Sequence, residues 1–439
     1  MSSPTSPRVV VFLTHLFPFG KGEEFIEIEL PHLVAAYDHV IVVATKTREG
    51  DKQTREVPAG VTVLRAGRQL DDGRAAELKA ALRGVTALPR AGAGSGLAGV
   101  GRAGVGMVRN AGGHPLRLAM ELAFVGVADD VVRDLTTELS SHWREWQLDR
   151  AEIDLYAYWM HSSASAVVQL GRWLEDRGAN VGVKVARGHR YEVFREVATL
   201  GHLPQRRELL DNLDGVYVVS EVGAQRLRSE LPDRAHKVFT QHLGTRDPGA
   251  PITLEREPFT IVSCALMTPV KRLDRLPGIV RALRDKGIDA RWTHLGSGPQ
   301  EDEIKKLARR ELGEGIATFP GYVRNSELID VYRLLHPSVL VSLSSSEGLP
   351  VNLMDGASLG LPLVATNVGG CAEIVRNRDN GYLLQADFTD ADAVAALHLL
   401  ATEPEDSYRA KGERSRAIWA EGFDEAVVYP QFIEAIRAL

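Results

Sequence analysis

Cysteine is nearly absent from this chain. Its 439 residues hold two, Cys264 in an apolar stretch and Cys371 just after a Gly-Gly pair. Two thiols so placed build neither a disulfide framework nor a metal site, and they suit a reducing compartment. No run approaches 18 uninterrupted apolar residues, so no membrane-spanning helix is expected. The opening residues MSSPTSPRVVVFLTH show no charged-then-apolar leader and run straight into a strand. A cytoplasmic protein is the expectation, at most peripheral on the inner face of a membrane. Basic excess is missing too: 52 Lys and Arg against 58 Asp and Glu give a net charge of -6, which argues against a nucleic-acid partner.

One absence is local. Between Glu77 and Glu121 there is no acidic residue, while Lys79, Arg83, Arg90, Arg102, Arg109 and Arg117 contribute +6. The middle of this basic insertion (residues 79–117), AGAGSGLAGVGRAGVGMVRNAGG, is predicted to be too glycine-rich for a stable helix, each Gly costing about 1 kcal/mol against Ala. Two readings stay open. The segment is a surface insertion with solvated charges, or it meets anionic lipid or a polyprenyl-pyrophosphate acceptor.

Elsewhere strands and helices alternate. Apolar, β-branched runs lie at 8–13, 39–44, 61–64, 154–158, 182–186 and 215–220. A second series lies at 259–264, 290–295, 316–319, 339–343, 363–366 and 381–384. Alternation of this kind predicts α/β architecture, with parallel sheets covered by helices on both faces. GTRDPGAPITLEREP, residues 244–258, reads as the linker. The expected domains are therefore residues 1–248, 249–422 and a terminal helix, 423–439.

The most informative stretch is SLSSSEGLPVNLMDGASLGLPLVATNVGGCAEIV, residues 342–375. A strand leads into a polar loop with Glu347, then Pro350 opens a helix carrying Asp355. Seven residues separate the two acids. Pro350 suits the first helical position, where an N–H would have no partner. Carboxylates at the end of a parallel strand stand where open sheets bind ligands, and a two-oxygen acceptor grips vicinal hydroxyls.

This segment resembles the signature of retaining GT-B glycosyltransferases of family 4, where Glu, seven residues and a second Glu precede a Gly-Gly turn and a further Glu. Glu347, Gly348, Pro350, Gly360, Pro362, Thr366, Gly369, Gly370 and Glu373 fall on the pattern, with Asp355 one methylene short of the usual acid. The resemblance implies two doubly wound Rossmann-like domains facing across a cleft, the second binding a UDP- or GDP-linked sugar, with the last helix crossing back to the first domain. Glu347 would hold donor-sugar hydroxyls and Asp355 the ribose, with Gly348, Leu349 and Pro350 lining the donor. Lys271 matches a cation for the diphosphate. The companion Arg position falls near Leu266, and Arg272 is its candidate replacement. Gly296 and Gly298 of GSGP match a glycine turn that lets backbone N–H groups approach an anion or base. Tyr322 and Val323 fall where the family contacts the base.

In the first domain, Gly20 and Gly22 resemble the loop where main chain meets donor phosphate and acceptor. Glu23 and Glu24 read as helix-start acids that favour the dipole. RGHRYEVF resembles the Arg-x-His-x-x-Asp segment of bacterial capsule and exopolysaccharide glycosyltransferases, with Glu192 replacing Asp and His189 facing donor sugar or acceptor. His161 is a competitor.

The implied activity is retaining hexosyl transfer to a bacterial surface glycan or lipid-linked precursor, by front-face displacement without cofactor or metal. No Asp-x-Asp pair lies beside a nucleotide strand. Glycosylation of a small natural product, or an inactive nucleotide-sugar-binding protein, are the alternatives.

Overall fold

The computed structural model describes residues 6–20, 22–48, 50–67 and 96–439. The chain divides into two compact units. One comprises Met1–Val219, Gly223–Gln241 and Tyr429–Leu439; the other comprises Ser220–Val222 and His242–Val428.

The first unit holds a seven-stranded sheet of β1 (Arg8–Thr14), β2 (His39–Ala44), β3 (Val61–Arg65), β4 (Glu152–Ala157), β5 (Asn180–Gly188), β6 (Gly215–Val218) and β7 (Val238–Thr240), in the order β3-β2-β1-β4-β5-β6-β7. Every pairing is parallel. Strands covered on both faces need apolar side chains at successive positions, and Val9 to Leu13 and Val40 to Ala44 are almost fully buried. Val9, Val11 and Leu13 enter one core, while Val10 and Phe12 enter the opposite one.

The second unit repeats the plan with β8 (Phe259–Cys264), β9 (Ala290–Leu295), β10 (Ala317–Gly321), β11 (Val339–Ser342), β12 (Leu363–Thr366) and β13 (Gly381–Leu384), ordered β10-β9-β8-β11-β12-β13 and again parallel. In both sheets the chain winds outward one way, returns to the middle and winds out the other way. The winding therefore reverses between β1 and β4, and between β8 and β11. The carboxyl ends of strands flanking such a reversal are where open parallel sheets take ligands.

The two doubly wound sheets agree with the sequence reading, and most strand limits fall within two residues. Three points differ. Val238–Thr240 is an additional edge strand, paired to β6. Residues 244–258 are not a free tether but part of the second unit: Ile252 N–H donates to Leu359 O at 2.9 Å, Ile252 and Leu254 are buried, and Trp419 Nε1 donates to Thr245 Oγ1 at 2.7 Å. Apart from the short Ser220–Val222 excursion, the chain changes units at Gln241/His242 and again at Val428/Tyr429. Finally, Gly96–Ala111 is helical despite its glycines, because Met107 and Ala111 are buried and Met107 packs with Val125 of the helix Pro115–Ser141. Tertiary burial outweighs propensity there. The rest of the basic insertion, residues 79–95, lies outside the described residues.

The helix Glu425–Arg437 ends the chain. Its Phe432, Ile433 and Ile436 are buried in the first unit beside Tyr156 and Tyr217, and each such burial is worth about 1.5–3 kcal/mol.

Candidate functional site

In the second unit, the loops after β8 and β11 lie side by side at the point where winding reverses. Ser345 N–H donates to Val270 O at 2.8 Å, which ties the two loops together. Lys271 Nζ then donates to Glu347 Oε1 at 2.6 Å, both side chains being partly exposed. A cation and a carboxylate with remaining donor and acceptor capacity thus stand at one sheet edge.

The Gly-Gly turn after β12 explains its own composition. A Cβ on Gly369, whose φ is 52°, would lie 2.0 Å from Glu347 O, and Gly370 N–H donates to Gly348 O at 2.8 Å. The turn holds the Glu347–Gly348 peptide from behind. Leu349 is buried, and a Cβ at Gly370 would meet its Cδ1 at 2.9 Å, so its side chain packs under the turn. Pro350 is the N-cap residue and the helix runs Val351–Ser358, one residue later than predicted. Asn352 Nδ2 donates to Cys264 O at 3.0 Å and fixes the helix start to the end of β8. The carboxylate of Asp355, in the buried half of that helix, accepts no hydrogen bond among the described residues, while its main-chain oxygen accepts from Ser358 Oγ at 2.7 Å. Burial pushes its carboxyl up to about 7. Glu373 accepts from Glu221 N–H at 3.0 Å and lies 2.7 Å from His242 Nε2, so it braces backbone.

Arg272 follows β8, Gly296 and Gly298 follow β9, and Tyr322 follows β10. Arg272 takes a left-handed conformation and its guanidinium donates to Ser344 O at 2.9 Å and to Ala386 O at 3.3 Å, bracing the Glu347 loop. Gly296 N–H is already bonded to Gly321 O, and a Cβ there would fall 1.9 Å from Ala265 O. At Gly298 the corresponding atom would fall 2.6 Å from Met267 O. Close backbone packing accounts for glycine at both positions. Tyr322 is exposed beyond the end of β10, as is Leu266 after β8.

The first unit gathers a second set at the ends of β1, β2, β4 and β5. Glu23 is not a helix-start acid: it sits at φ 58°, before the helix Ile26–Ala36, and its carboxylate accepts from the N–H groups of His15 (2.8 Å), Leu16 (2.6 Å) and Phe17 (2.7 Å) and from the Trp159 indole. One buried acid thus shapes the loop of Gly20 and Gly22. A Cβ on Gly20 would meet Leu16 Cβ at 2.9 Å, and Gly22 lies at φ 89° with open space around it.

Trp159 in turn lies between two imidazoles, 5.3 Å from His15 and 4.4 Å from His189. Both ring nitrogens of His189 are buried without a hydrogen-bond partner among the described residues, and burial followed by the Arg187 charge brings its pKa down to about 3. His161 lies 5.9 Å from His15 and is exposed, with its Nδ1 3.1 Å from Ser162 Oγ. Burial keeps the His15 and His189 rings neutral, each offering one donor and one acceptor. Glu192 accepts from His189 N–H at 3.2 Å and burial raises it to about 7. Sequence reasoning missed His15, Lys46 and the clamping role of Glu23. Lys46 left one signal, a lone cation just past an apolar strand.

Among the described residues, no group of three or more His, Cys, Asp or Glu side chains is arranged to hold a metal ion, and no helix is long and apolar enough to cross a membrane.

Two parallel doubly wound sheets in one chain are shared with solved structures. The HepE protein of Anabaena, captured with UDP and glucose, superposes with a TM-score of 0.62 at 12% identity, over 98% of this chain and 100% of its own. This is the GT-B fold. Within it, residues 250–417 match the family described as Glycosyl transferases group 1. The chain is also similar to the putative colanic acid biosynthesis glycosyltransferase WcaL of Escherichia coli (strain K12), 27% identical over 246 residues, 54% of this chain and 60% of WcaL. The amylovoran biosynthesis glycosyltransferase AmsK of Erwinia amylovora is 27% identical over 189 residues, 42% of this chain and 46% of AmsK. The chain thus spans about half the length of the curated relatives it matches. The GT-B matched domain contains Lys271, Glu347 and Asp355, and the His189 cluster lies before it.

Proposed function

We propose that this chain is a retaining hexosyltransferase that carries a sugar from a UDP- or GDP-linked donor to a bacterial surface glycan or its lipid-linked precursor. The observation that carries the reading is the Lys271–Glu347 contact of 2.6 Å at the reversal point of the second sheet, inside the matched domain. In this reading Lys271 exchanges its carboxylate partner for the donor diphosphate. Charge grows on that diphosphate as the glycosidic bond breaks, and a fixed cation beside it lowers the barrier. Glu347, released from Lys271, takes the donor-sugar hydroxyls, and Asp355 takes the ribose. The neutral His189 ring offers a donor and an acceptor to sugar hydroxyls. The leaving phosphate accepts the acceptor's proton on the same face, which retains configuration. Polysaccharide biosynthesis in the names of WcaL and AmsK, and UDP with glucose on HepE, support the substrate class.

The reading includes a cytoplasmic location with the basic insertion against anionic lipid. Its described part supports this: Val105, Val108 and Leu116 are exposed beside Arg109.

The test is stabilisation by nucleotides and their sugar conjugates, followed by product analysis. A ligand at 100 times its Kd should stabilise the fold by about 2.7 kcal/mol. Acceptor-dependent release of nucleoside diphosphate, with an axial or equatorial product linkage matching the donor, is the expected result. A chain stabilised by no uridine or guanosine diphosphate overturns the reading.

A further inference from the structure

The loop after β1 doubles back on the strand it leaves. Gly22 and Glu23 are both left-handed, at φ 89° and 58°, and together they bring the Glu23 side chain to the residues that follow Thr14. Glycine takes such a conformation freely, whereas a glutamate there needs its surroundings to hold it.

Four hydrogen bonds do so, two on each oxygen: Oε1 accepts from the His15 N–H at 2.8 Å and from the Trp159 indole, and Oε2 accepts from the N–H groups of Leu16 at 2.6 Å and Phe17 at 2.7 Å. A carboxylate has about four lone-pair sites, so none is left over. Glu23 therefore has no oxygen free to take a proton from an acceptor hydroxyl, to grip a sugar or to pair a cation. Three successive amides make a concave anion site of the kind that elsewhere cradles phosphate, and here the chain fills it with its own acid.

Loop folding alone does not account for the arrangement. The outer part of the loop has its own fastening, because the Arg55 guanidinium donates to Gly20 O at 2.8 Å and to Gly22 O at 2.5 Å. The indole is the one bond that leaves the loop. Trp159 follows β4, and its ring lies 5.3 Å from His15, at 13° between planes, and 4.4 Å from His189. Oε1 thus fixes both the backbone of His15 and the ring stacked on its side chain. Both ring nitrogens of His189 are buried without a hydrogen-bond partner among the described residues, so packing against Trp159 and Tyr158, the latter 5.0 Å away, sets its plane.

We propose that Glu23 is a positioning residue for transfer: by holding Trp159 it sets the plane of the His189 ring against the sugar. Glu23 has this task only where His189 faces a sugar, so the assignment rests on the glycosyltransferase reading.

Glu23→Gln keeps the shape and turns one acceptor oxygen into a donor, which breaks a pair of these bonds. Isotope-labelled tryptophan and histidine in the full chain report on Trp159 and His189 by NMR, assigned from the signals missing in Trp159→Phe and His189→Gln. Glu23→Gln should shift the His189 ring signals. Glu24→Gln, one residue on and paired to Arg55 instead, should leave them in place. With UDP-glucose and GDP-mannose as probes, release of nucleoside diphosphate should slow about tenfold to a hundredfold in Glu23→Gln, the effect of a small misplacement at a reacting centre. Affinity for the free nucleoside diphosphate should stay within about twofold of the parent. Trp159→Phe, which keeps a ring but no indole N–H, should show the same split, and it decides the matter if Glu23→Gln does not fold. The double variant should lose no more than the worse single one. Unmoved His189 signals in Glu23→Gln, an equal shift in Glu24→Gln, full turnover in Trp159→Phe, or equal losses of turnover and nucleotide affinity would each overturn the assignment. A parent inert with both sugar nucleotides counts against the proposed transfer, while the His189 signals still decide Glu23.

Discussion

Gly369 stands so close to Glu347 that a single methyl group on it would lie 2.0 Å from the Glu347 carbonyl oxygen. The turn after β12 and the acid after β11 are therefore one mechanical unit, although 22 positions apart in the chain (369 − 347). Gly369→Ala must displace that peptide, and its φ of 52° adds strain of about 1 kcal/mol or more. We expect a lowered Tm and a larger loss of nucleotide-sugar affinity in the parent background than in Glu347→Gln. Equal losses in both backgrounds, measured as a double-mutant cycle, would show that the turn acts independently of Glu347.

Glu347→Gln should abolish transfer while leaving the fold intact, because the lost charge-assisted bonds are worth about 1.5–3 kcal/mol each. Circular dichroism checks the fold and initial rates check the chemistry. Turnover within about threefold of the parent, below 1 kcal/mol in barrier, would remove Glu347 from the mechanism.

Lys271→Ala should weaken binding of a nucleoside diphosphate far more than binding of the nucleoside, since the partner proposed for its ammonium is phosphate. Calorimetry with UDP and uridine compares the two. Parallel losses would place Lys271 away from the diphosphate.

Asp355 makes a pH-dependent prediction. Its folded-state carboxyl is raised to about 7 by burial, so the folded protein binds more protons than the unfolded chain below that value. Stability conferred by the neutral form is therefore present at low pH and lost as pH rises from about 4 toward 7, by up to about 4 kcal/mol. Asp355→Asn should flatten this part of the Tm profile. In binding, Asp355→Ala should bring the affinity for a ribonucleotide down toward that of its 2′-deoxy analogue, because a site built for a hydroxyl penalises its absence. A variant that keeps the parent's discrimination would make Asp355 purely a buried helix acid.

Replacing Arg90, Arg102 and Arg109 by Ser should reduce co-sedimentation with anionic vesicles. The parent's binding should fall steeply with salt, as expected for basic residues at a charged surface. Unchanged binding would leave the insertion merely solvated.

The sequence by itself determined the two parallel sheets, since strands buried on both faces must be continuous apolar runs, and those runs recur between turn signals. It also located Lys271 and Glu347, because strand ends and glycine turns are local patterns. Tertiary structure alone decided which partners those residues found. Glycines at 96, 99, 101, 104 and 106 argue against a helix, yet burial of Met107 and Ala111 secures one. Arg272 is spent on two carbonyls, and Glu23 on three amides and an indole contributed by β1 and β4 loops. Lys46 meets His15 because β2 lies beside β1 in the sheet, with β4 on the other flank. Local periodicity records which face of an element is apolar. It does not record which strand becomes the neighbour, and at this sheet edge the neighbours make the site.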